Sequence, residues 1–333
     1  MLVPYTKPHL SLKEQLALLK SRGMTVGDEQ RAERYLERLG YYRLSGYWYP
    51  ARTVTASMDT AGTTTYQVQD TFRPGTTFER AVDLYIFDKR LRLLFMDALE
   101  RIEVSLRVDA ALLLSVRDPF AHRNPSQLHG NFAKKKDSRT GRTRHDEWLA
   151  RLDDITVRSK EEFVQRFQSK YNSPLPMWIA IELWDFGTLS HFISAMRYDD
   201  VDRLAAKYAI PDGQLLQSWI RTLNQVRNVS AHHSRLWNRV STDLPKSART
   251  GTVPHLDHLF ADRHSLNRVY AAAAITQHLM GIVSPTSRLR TRFKDLIATF
   301  PDGSGIKLRQ AGFPANWGSP QGLFANTRQI GQT

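Results

Sequence analysis

Phe78-Glu79-Arg80-Ala81-Val82-Asp83-Leu84-Tyr85-Ile86-Phe87-Asp88-Lys89-Arg90-Leu91-Arg92-Leu93-Leu94-Phe95-Met96-Asp97-Ala98-Leu99-Glu100-Arg101-Ile102-Glu103-Val104-Ser105-Leu106 is the stretch that decides the fold class. Leu84, Phe87, Leu91, Leu94, Phe95, Ala98, Ile102 and Leu106 recur three and four apart over about six turns, which is one face of an α-helix and not the alternation of a strand. The pattern runs on to residue 116, and Pro119 and Pro125 end it. One long amphipathic helix, or two, spans 78–116. The charges between the apolar positions, Asp88-Lys89-Arg90, Arg92, Glu100-Arg101 and Glu103, read as its exposed, salt-bridged face.

Outward from this run the chain stays helical. Downstream, apolar spacing predicts helices over 148–155, 160–170, 177–196, 201–208 and 212–240. After a loop at 241–254, two more follow at 265–281 and 287–299. Upstream, Ser11-Leu12-Lys13-Glu14 has the form of a capping box and opens a helix that stops near Gly23. A second helix runs over 28–39 and ends at Gly40. Between these and the long helix, 51–77 is rich in Thr, Val and Gly, with a turn signal at Asp59-Thr60-Ala61-Gly62. It predicts a small β-hairpin or an irregular insertion. The Pro/Gly/Asn-rich stretch from residue 300 has no periodicity and is expected to pack irregularly or fray. The expected organisation is mainly α: N-terminal helices, an aromatic junction and the insertion over 1–77, a helical body over 78–299, and an irregular C-terminal tail over 300–333.

Composition narrows the function. The 333 residues carry 47 Lys and Arg against 33 Asp and Glu, a formal net charge of +14. Such an excess points to nucleic acid, and less often to an anionic membrane surface. The absence of cysteine excludes disulfides, Cys-ligated zinc, iron–sulfur clusters and thiol nucleophiles. With 41% apolar and 10% aromatic residues the chain is not a wholly disordered one. Its longest mostly apolar stretch, 110–116, is far short of a membrane span of about 20 residues. The N-terminus has no apolar signal core, so the expectation is a cytoplasmic protein.

The segment able to carry chemistry is Ser218-Trp219-Ile220-Arg221-Thr222-Leu223-Asn224-Gln225-Val226-Arg227-Asn228-Val229-Ser230-Ala231-His232-His233-Ser234-Arg235-Leu236-Trp237-Asn238-Arg239. On a helix, Leu216, Trp219, Ile220, Leu223 and Val226 form an apolar stripe. Asn228, His232 and Arg235, four and three apart, share the opposite side, with Arg227 on the flank. RNA cleavage by 2′-hydroxyl attack needs a proton acceptor working near neutral pH and a cation for the charge that builds on phosphorus. A His and an Arg supply both without a metal. The same Arg-to-His spacing recurs at Arg117 and His122, interrupted by Pro119. From spacing alone, Arg227/His232 reads first as a helix-end cluster bonded to neighbouring helices.

Arg227-Asn228-Val229-Ser230-Ala231-His232 resembles the Arg-Asn-x-x-x-His motif of HEPN-superfamily ribonucleases. The longer run to Arg239 resembles the signature of Abi-like (AbiD/AbiF type) abortive-infection proteins. Further blocks agree in order: Lys7-Pro8-His9-Leu10-Ser11-Leu12-Lys13-Glu14-Gln15, Leu39-Gly40-Tyr41-Tyr42-Arg43-Leu44-Ser45-Gly46-Tyr47-Trp48, Leu99-Glu100-Arg101-Ile102-Glu103-Val104, Pro176-Met177-Trp178-Ile179-Ala180-Ile181-Glu182 with Phe186-Gly187-Thr188-Leu189-Ser190, and Gly312-Phe313-Pro314-Ala315-Asn316-Trp317. The resemblance covers nearly the whole chain. It implies a HEPN-type helical bundle in phage defence, an endoribonuclease acting on RNA without metal or other cofactor. It also implies a site built from two copies of the motif, hence a homodimer. His232 would transfer the proton, Arg227 would face the phosphate, Asn228 would orient, and His233 and Arg235 would support. Related HEPN folds in RNA-targeting CRISPR effectors suggest a structured non-coding RNA as partner by analogy. The alternative is a non-catalytic RNA-binding protein that sequesters or scaffolds such an RNA. A DNA-binding regulator is a third reading, without a clear helix-turn-helix to support it.

Other residues carry double readings. Glu182 and Asp185 sit on an otherwise apolar run, where Glu182 either pairs with an Arg in packing or orients Arg227 or His232. The block from Tyr41 to Tyr49 either stacks bases, with Arg43 on phosphate, or packs as a corner punctuated by Gly40 and Gly46. Lys134, Lys135, Lys136, Arg139, Arg142 and Arg144 form a dense basic loop suited to backbone phosphates, or simply a solvated one. His255 and His258 lie three apart beside Asp257 and Asp262, but Pro254 in the same loop argues against a metal site.

Overall fold

The computed structural model describes residues 4, 6, 8–58, 60 and 62–318. Helices α1 (Leu12–Ser21), α2 (Glu29–Leu39) and α3 (Tyr41–Trp48) come first. The capping box at the start of α1 is formed: Ser11 Oγ accepts the Glu14 N–H and the Glu14 carboxylate accepts the Ser11 N–H. Gly40, at φ +81°, turns the chain between α2 and α3. The aromatic block is therefore a helix and not a corner, because only Gly40 takes a turn conformation. Gly46 lies inside α3, where a Cβ would stand 3.2 Å from Nη1 of Arg235. Tyr47 and Trp48 are buried, and Tyr42 is 91% exposed.

Strands β1 (Arg52–Met58) and β2 (Thr64–Phe72) pair antiparallel from Met58↔Thr64 to Arg52↔Phe72, with a register irregularity between Arg52 and Val54. The expected insertion is this two-stranded ribbon; its turn residues Asp59 and Ala61 lie outside the described residues. The chain closes behind it, where the Arg73 N–H donates to the Ala51 carbonyl at 2.9 Å.

Residues 78–116 form one helix, α4 (Phe78–Ser115), unbroken because no Gly or Pro interrupts it. Thr77 caps its start by accepting the Arg80 N–H. Its charged face is not uniformly exposed, as the sequence pattern implied. Asp88, Arg92 and Glu103 are buried, because α3 and the later helices wrap that side as well.

Then follow α5 (Gly130–Ala133), α6 (Arg144–Arg158), α7 (Glu162–Lys170), α8 (Met177–Ala180), α9 (Phe186–Ile193), α10 (Tyr198–Lys207) and α11 (Gly213–Ala231). The single helix expected over 177–196 is divided into α8, a 3₁₀ turn at Ile181–Leu183, and α9. Asp185 explains the break: it caps α9 by accepting the Thr188 N–H. Last come α12 (Asp257–Phe260), α13 (Arg263–Leu266), α14 (Val269–Val283) and α15 (Leu289–Ala298). α14 is buried on all sides from Val269 to Met280, as a helix apolar all round must be. α3, α8, α10, α11, α14 and α15 pack on α4, which makes it the axis of the core. Part of the expected tail is ordered: Ile306 and Phe313 are buried around a 3₁₀ turn at Leu308–Ala311, and 319–333 lies outside the described residues. Among the described residues no helix is long and apolar enough to cross a membrane.

Candidate functional site

The site is built at the C-terminal end of α11. Asp212 caps the helix by accepting the Leu215 N–H. Trp219, Ile220, Leu223 and Val226 then bury one stripe, each fully buried side chain contributing about 1.5–3 kcal/mol. The helix stops at Ala231, nine residues before the expected end at 240. The Ser234 N–H donates to the Val229 carbonyl at 3.0 Å and the His233 N–H to the Ser230 carbonyl at 3.1 Å, with His233 at φ +54°. This is a Schellman closure. A glycine usually takes the left-handed position; a histidine takes it here, which is why no stop signal is legible at this point. Asn228 and His232 stay in the closing turn, both exposed. Arg235 leaves their face, and its guanidinium bonds the Gly46 carbonyl of α3.

The segment after the helix is clamped from below. The buried Asp88 carboxylate accepts the N–H of Trp237 at 2.7 Å and of Leu236 at 3.2 Å, the Tyr47 hydroxyl at 2.7 Å and Arg92 Nη1. Arg92 Nη1 also donates to the Ser234 carbonyl at 3.2 Å. Burial pushes the Asp88 carboxyl up, against the opposing pull of Arg92, Tyr47 and the two amides. Arg43 does a related job from α3: its Nη1 donates to the His233 carbonyl at 2.8 Å. Arg43 thus holds the helix end, where a cation is favourable.

Arg227 turns the other way, into a cleft with Met96, Asp97, Glu100, Glu103, Val104 and Arg107 of α4. Its Nε lies 4.0 Å from a Glu103 carboxylate oxygen, and Arg107 holds the other oxygen. Burial raises the Glu103 carboxyl, while Arg107 and then Arg227 pull it down. Glu182 does reach a cation, but that cation is Arg107, at 3.8 Å, and neither Arg227 nor His232. Glu182 lies within the 3₁₀ turn and is exposed. A Cβ at Gly187 of α9 would stand 3.7 Å from Asn224 Nδ2, and Asn224 Oδ1 accepts from Asn228 Nδ2 at 3.4 Å. Glu103 and Asn224 are the members the sequence reading missed. Their signals were the i,i+4 spacings to Arg107 and Asn228. Among the described residues the rings of His232 and His233 make no hydrogen bond, and both residues are exposed.

The second Arg-to-His spacing is occupied by packing. Arg117 forks onto Asp200 with contacts of 2.7 and 2.6 Å. His122 is buried against Trp148 and Trp184, and burial lowers its pKa to about 3, helped by Arg123 and His145. His255 and His258 are also engaged in packing, on His278 at 3.0 Å and the Tyr270 hydroxyl at 2.7 Å.

The basic loop is a tight turn closed by a bridge between Lys136 and Thr143. Asp137 organises it by accepting the N–H groups of Arg139 and Thr140, both at 2.9 Å, and these bonds lower its pKa. Lys134, Lys135, Lys136, Arg139, Arg142 and Arg144 are exposed, and none forms an ion pair among the described residues. Helix α9 links this turn to α11. It packs on α11, and one turn beyond Gly187 its His191 has its pKa lowered by burial and then by Arg144 and Arg151.

A mainly helical body, an Arg-Asn-x-x-x-His run closing one of its helices, and an exposed basic turn over 134–144 are the features of this molecule. The chain belongs to the Abi-like protein family, which it matches over residues 34–238, from within α2 to just past α11. That family places it among abortive-infection proteins, in defence against phage. Comparison with curated proteins and with solved structures gave no match.

Proposed function

We propose that the protein is an RNA-binding defence effector of the HEPN kind, a metal-independent endoribonuclease. The observation that carries this reading is the exposed His232 imidazole, free of hydrogen bonds among the described residues, one turn from Asn228 on a helix end clamped by Asp88, Arg92 and Arg43. An exposed imidazole without a partner, held on a rigid support, is placed to accept a proton from a bound hydroxyl. In the proposed step His232 accepts the 2′-hydroxyl proton and the 2′-oxygen bonds to phosphorus. The bond from phosphorus to the 5′-oxygen breaks, that oxygen leaves with a proton taken from water, and His232 returns its proton to solvent. The products are a 2′,3′-cyclic phosphate and a 5′-hydroxyl. Arg227 offsets the charge on phosphorus after swinging away from Glu103, and Asn228 orients the phosphate. Lys134, Lys135, Lys136, Arg139, Arg142 and Arg144 hold the flanking backbone.

Arg227 and His232 point apart: one faces the cleft on α4, the other faces solvent at the helix end. A second copy of the motif across a two-fold axis would bring Arg227 of one protomer to His232 of its partner, so the reading includes a homodimer. The Arg227–Glu103 contact favours the second reading, in which Arg227 stays neutralised and the protein binds a structured RNA without cutting it. The test is cleavage of bound RNA in EDTA by wild type, Arg227→Ala, His232→Ala and a mixture of the two variants. Cleavage by wild type, none by either variant, retained RNA affinity and partial recovery on mixing support the nuclease. Cleavage that His232→Ala leaves intact overturns it.

A further inference from the structure

The β-ribbon has two unlike faces. Cross-strand partners of an antiparallel pair share a face. The pairs Val54↔Val68, Ala56↔Tyr66 and Met58↔Thr64 put Val54, Ala56, Met58, Tyr66 and Val68 on one side, and Thr55↔Gln67 and Ser57↔Thr65 put hydroxyls and a carboxamide on the other. Strands that bury one face alternate in this way. Here the apolar face is open: Met58 and Tyr66 are 73% and 70% exposed, and Val54 and Val68 are exposed as well. The root is fixed, since Arg22 and Arg52 both pair with Asp70 and Phe72 is buried. A two-stranded ribbon standing alone is marginal in water, and an apolar face on it marks a contact surface.

Charge selects what covers it. From 53 to 69 the only charged residue is Asp59, and none of the 47 Lys and Arg falls there. A surface without cations offers nothing to the phosphates of RNA or to anionic headgroups. A second copy of the chain fits. Two molecules of formal charge +14 repel wherever their cations meet, and the ribbon is a stretch where they can touch without that repulsion. The side chains are also self-complementary. Under a two-fold axis parallel to the strands, β1 of each copy lies over β2 of the other. Tyr66 then faces Ala56, Met58 faces Thr64, and Val54 faces Val68, so large side chains meet small ones.

We propose that the face formed by Val54, Met58, Tyr66 and Val68 is a homodimer contact, packed on the same face of a second copy. Three cross-strand rows cover well under the roughly 800 Å² per partner of a standard interface, so this dimer is reversible on dilution. The ribbon springs from α3, the helix that braces the candidate site through Arg43 on the His233 carbonyl and the Gly46 carbonyl on Arg235. The contact gives the homodimer of the proposed function a surface, and it stands on the ribbon's own pattern whether or not RNA is cut.

Sedimentation velocity of the RNA-free full chain, from about 1 to 200 µM, tests it. Wild type is expected to pass from monomer to dimer over that range. Tyr66→Lys places a cation in the middle of the face and should weaken association at least tenfold with Tm unchanged. Thr55→Lys, on the polar face, should leave association as it is. Because the chain has no cysteine, single cysteines give a second readout. Val54→Cys mixed with Val68→Cys should cross-link through a short bismaleimide faster than Thr55→Cys mixed with Gln67→Cys. A wild type that stays monomeric overturns the contact; if Tyr66→Ala then weakens RNA binding, RNA is the occupant instead. A dimer that Tyr66→Lys leaves intact, or that Thr55→Lys weakens equally, also overturns it. If Tyr66→Lys lowers Tm, the cross-linking mixtures decide, and equal rates for the two overturn the face. A dimer through this face that cuts no RNA counts against the nuclease alone. RNA cleavage by a dimer indifferent to Tyr66→Lys counts against the ribbon contact alone.

Discussion

The Asp88 carboxylate on α4 accepts the backbone N–H of Trp237 at 2.7 Å, joining residues 149 positions apart. One buried acid thus fixes where the chain goes after the candidate site. Asp88→Ala leaves Arg92 buried without its partner and two amides without an acceptor. The expected loss is about 3–5 kcal/mol, read as a fall in the urea midpoint. Adding Arg92→Met should return part of it, since the orphaned charge goes too. A loss under about 1 kcal/mol for the single variant would mean that water replaces the carboxylate.

His233 holds φ +54° at the close of α11, a conformation that glycine adopts at less cost. His233→Gly is expected to stabilise the protein by up to about 1 kcal/mol. If His233 supports catalysis, cleavage falls despite the added stability. If it only ends the helix, cleavage is unchanged.

Among the described residues the six cations of the 134–144 turn have no carboxylate partners, so RNA should draw directly on them. Changing Lys134, Lys135 and Lys136 together to Gln should lower affinity and flatten the dependence of log K on log salt by up to about three phosphate contacts. Filter binding between low and moderate salt measures it. An unchanged slope removes the turn from the interface.

Stability should fall in mild acid. Burial, aided by neighbouring His255, lowers the pKa of His278 to about 4. Its Nε2 bonds the Tyr208 carbonyl and its Nδ1 meets His255, so the folded pair is neutral. Above the unfolded value near 6.5 both states are neutral and the full stability is present. As pH falls from about 6.5 to 4 the unfolded chain binds a proton that the folded chain refuses, and stability drops by on the order of 3 kcal/mol. His122 extends the loss toward its folded value of about 3. Urea midpoints at pH 7.5 and pH 5 check this, the lower one expected at pH 5; equal midpoints would mean that these rings are solvated.

The elements that were legible in the sequence are those where one face meets one core. The stripe from Leu84 to Leu106 gave α4 its position, and Ser11 and Glu14 gave α1 its start, because periodicity and capping are local. Asp88, Arg92 and Glu103 were misread for the converse reason. A charge on a helix pattern reads as a surface charge, and only the later return of 234–237 and the approach of Arg227 bring partners to bury them. The end of α11 was illegible because a histidine holds the left-handed position that glycine would have announced. Breaking the helix there moved Arg235 from the motif's face to Gly46. Arg227, Asn228 and His232 were found as a string of residue types, whereas the tie to Glu103 needed two helices side by side.

The β-ribbon leaves the body at Ala51 and returns to it at Arg73, and the two residues share a 2.9 Å hydrogen bond. Most of its described residues are exposed, and among them only Phe72 is buried. An excursion whose ends already touch behaves as a detachable module. Its removal requires no new span of chain to be bridged, and the cost of closing a short replacement turn is small. Between Ala51 and Arg73 the molecule therefore has a natural docking port for engineering, where a reporter or an affinity tag can be spliced in while the helices that carry Arg227 and His232 fold as before.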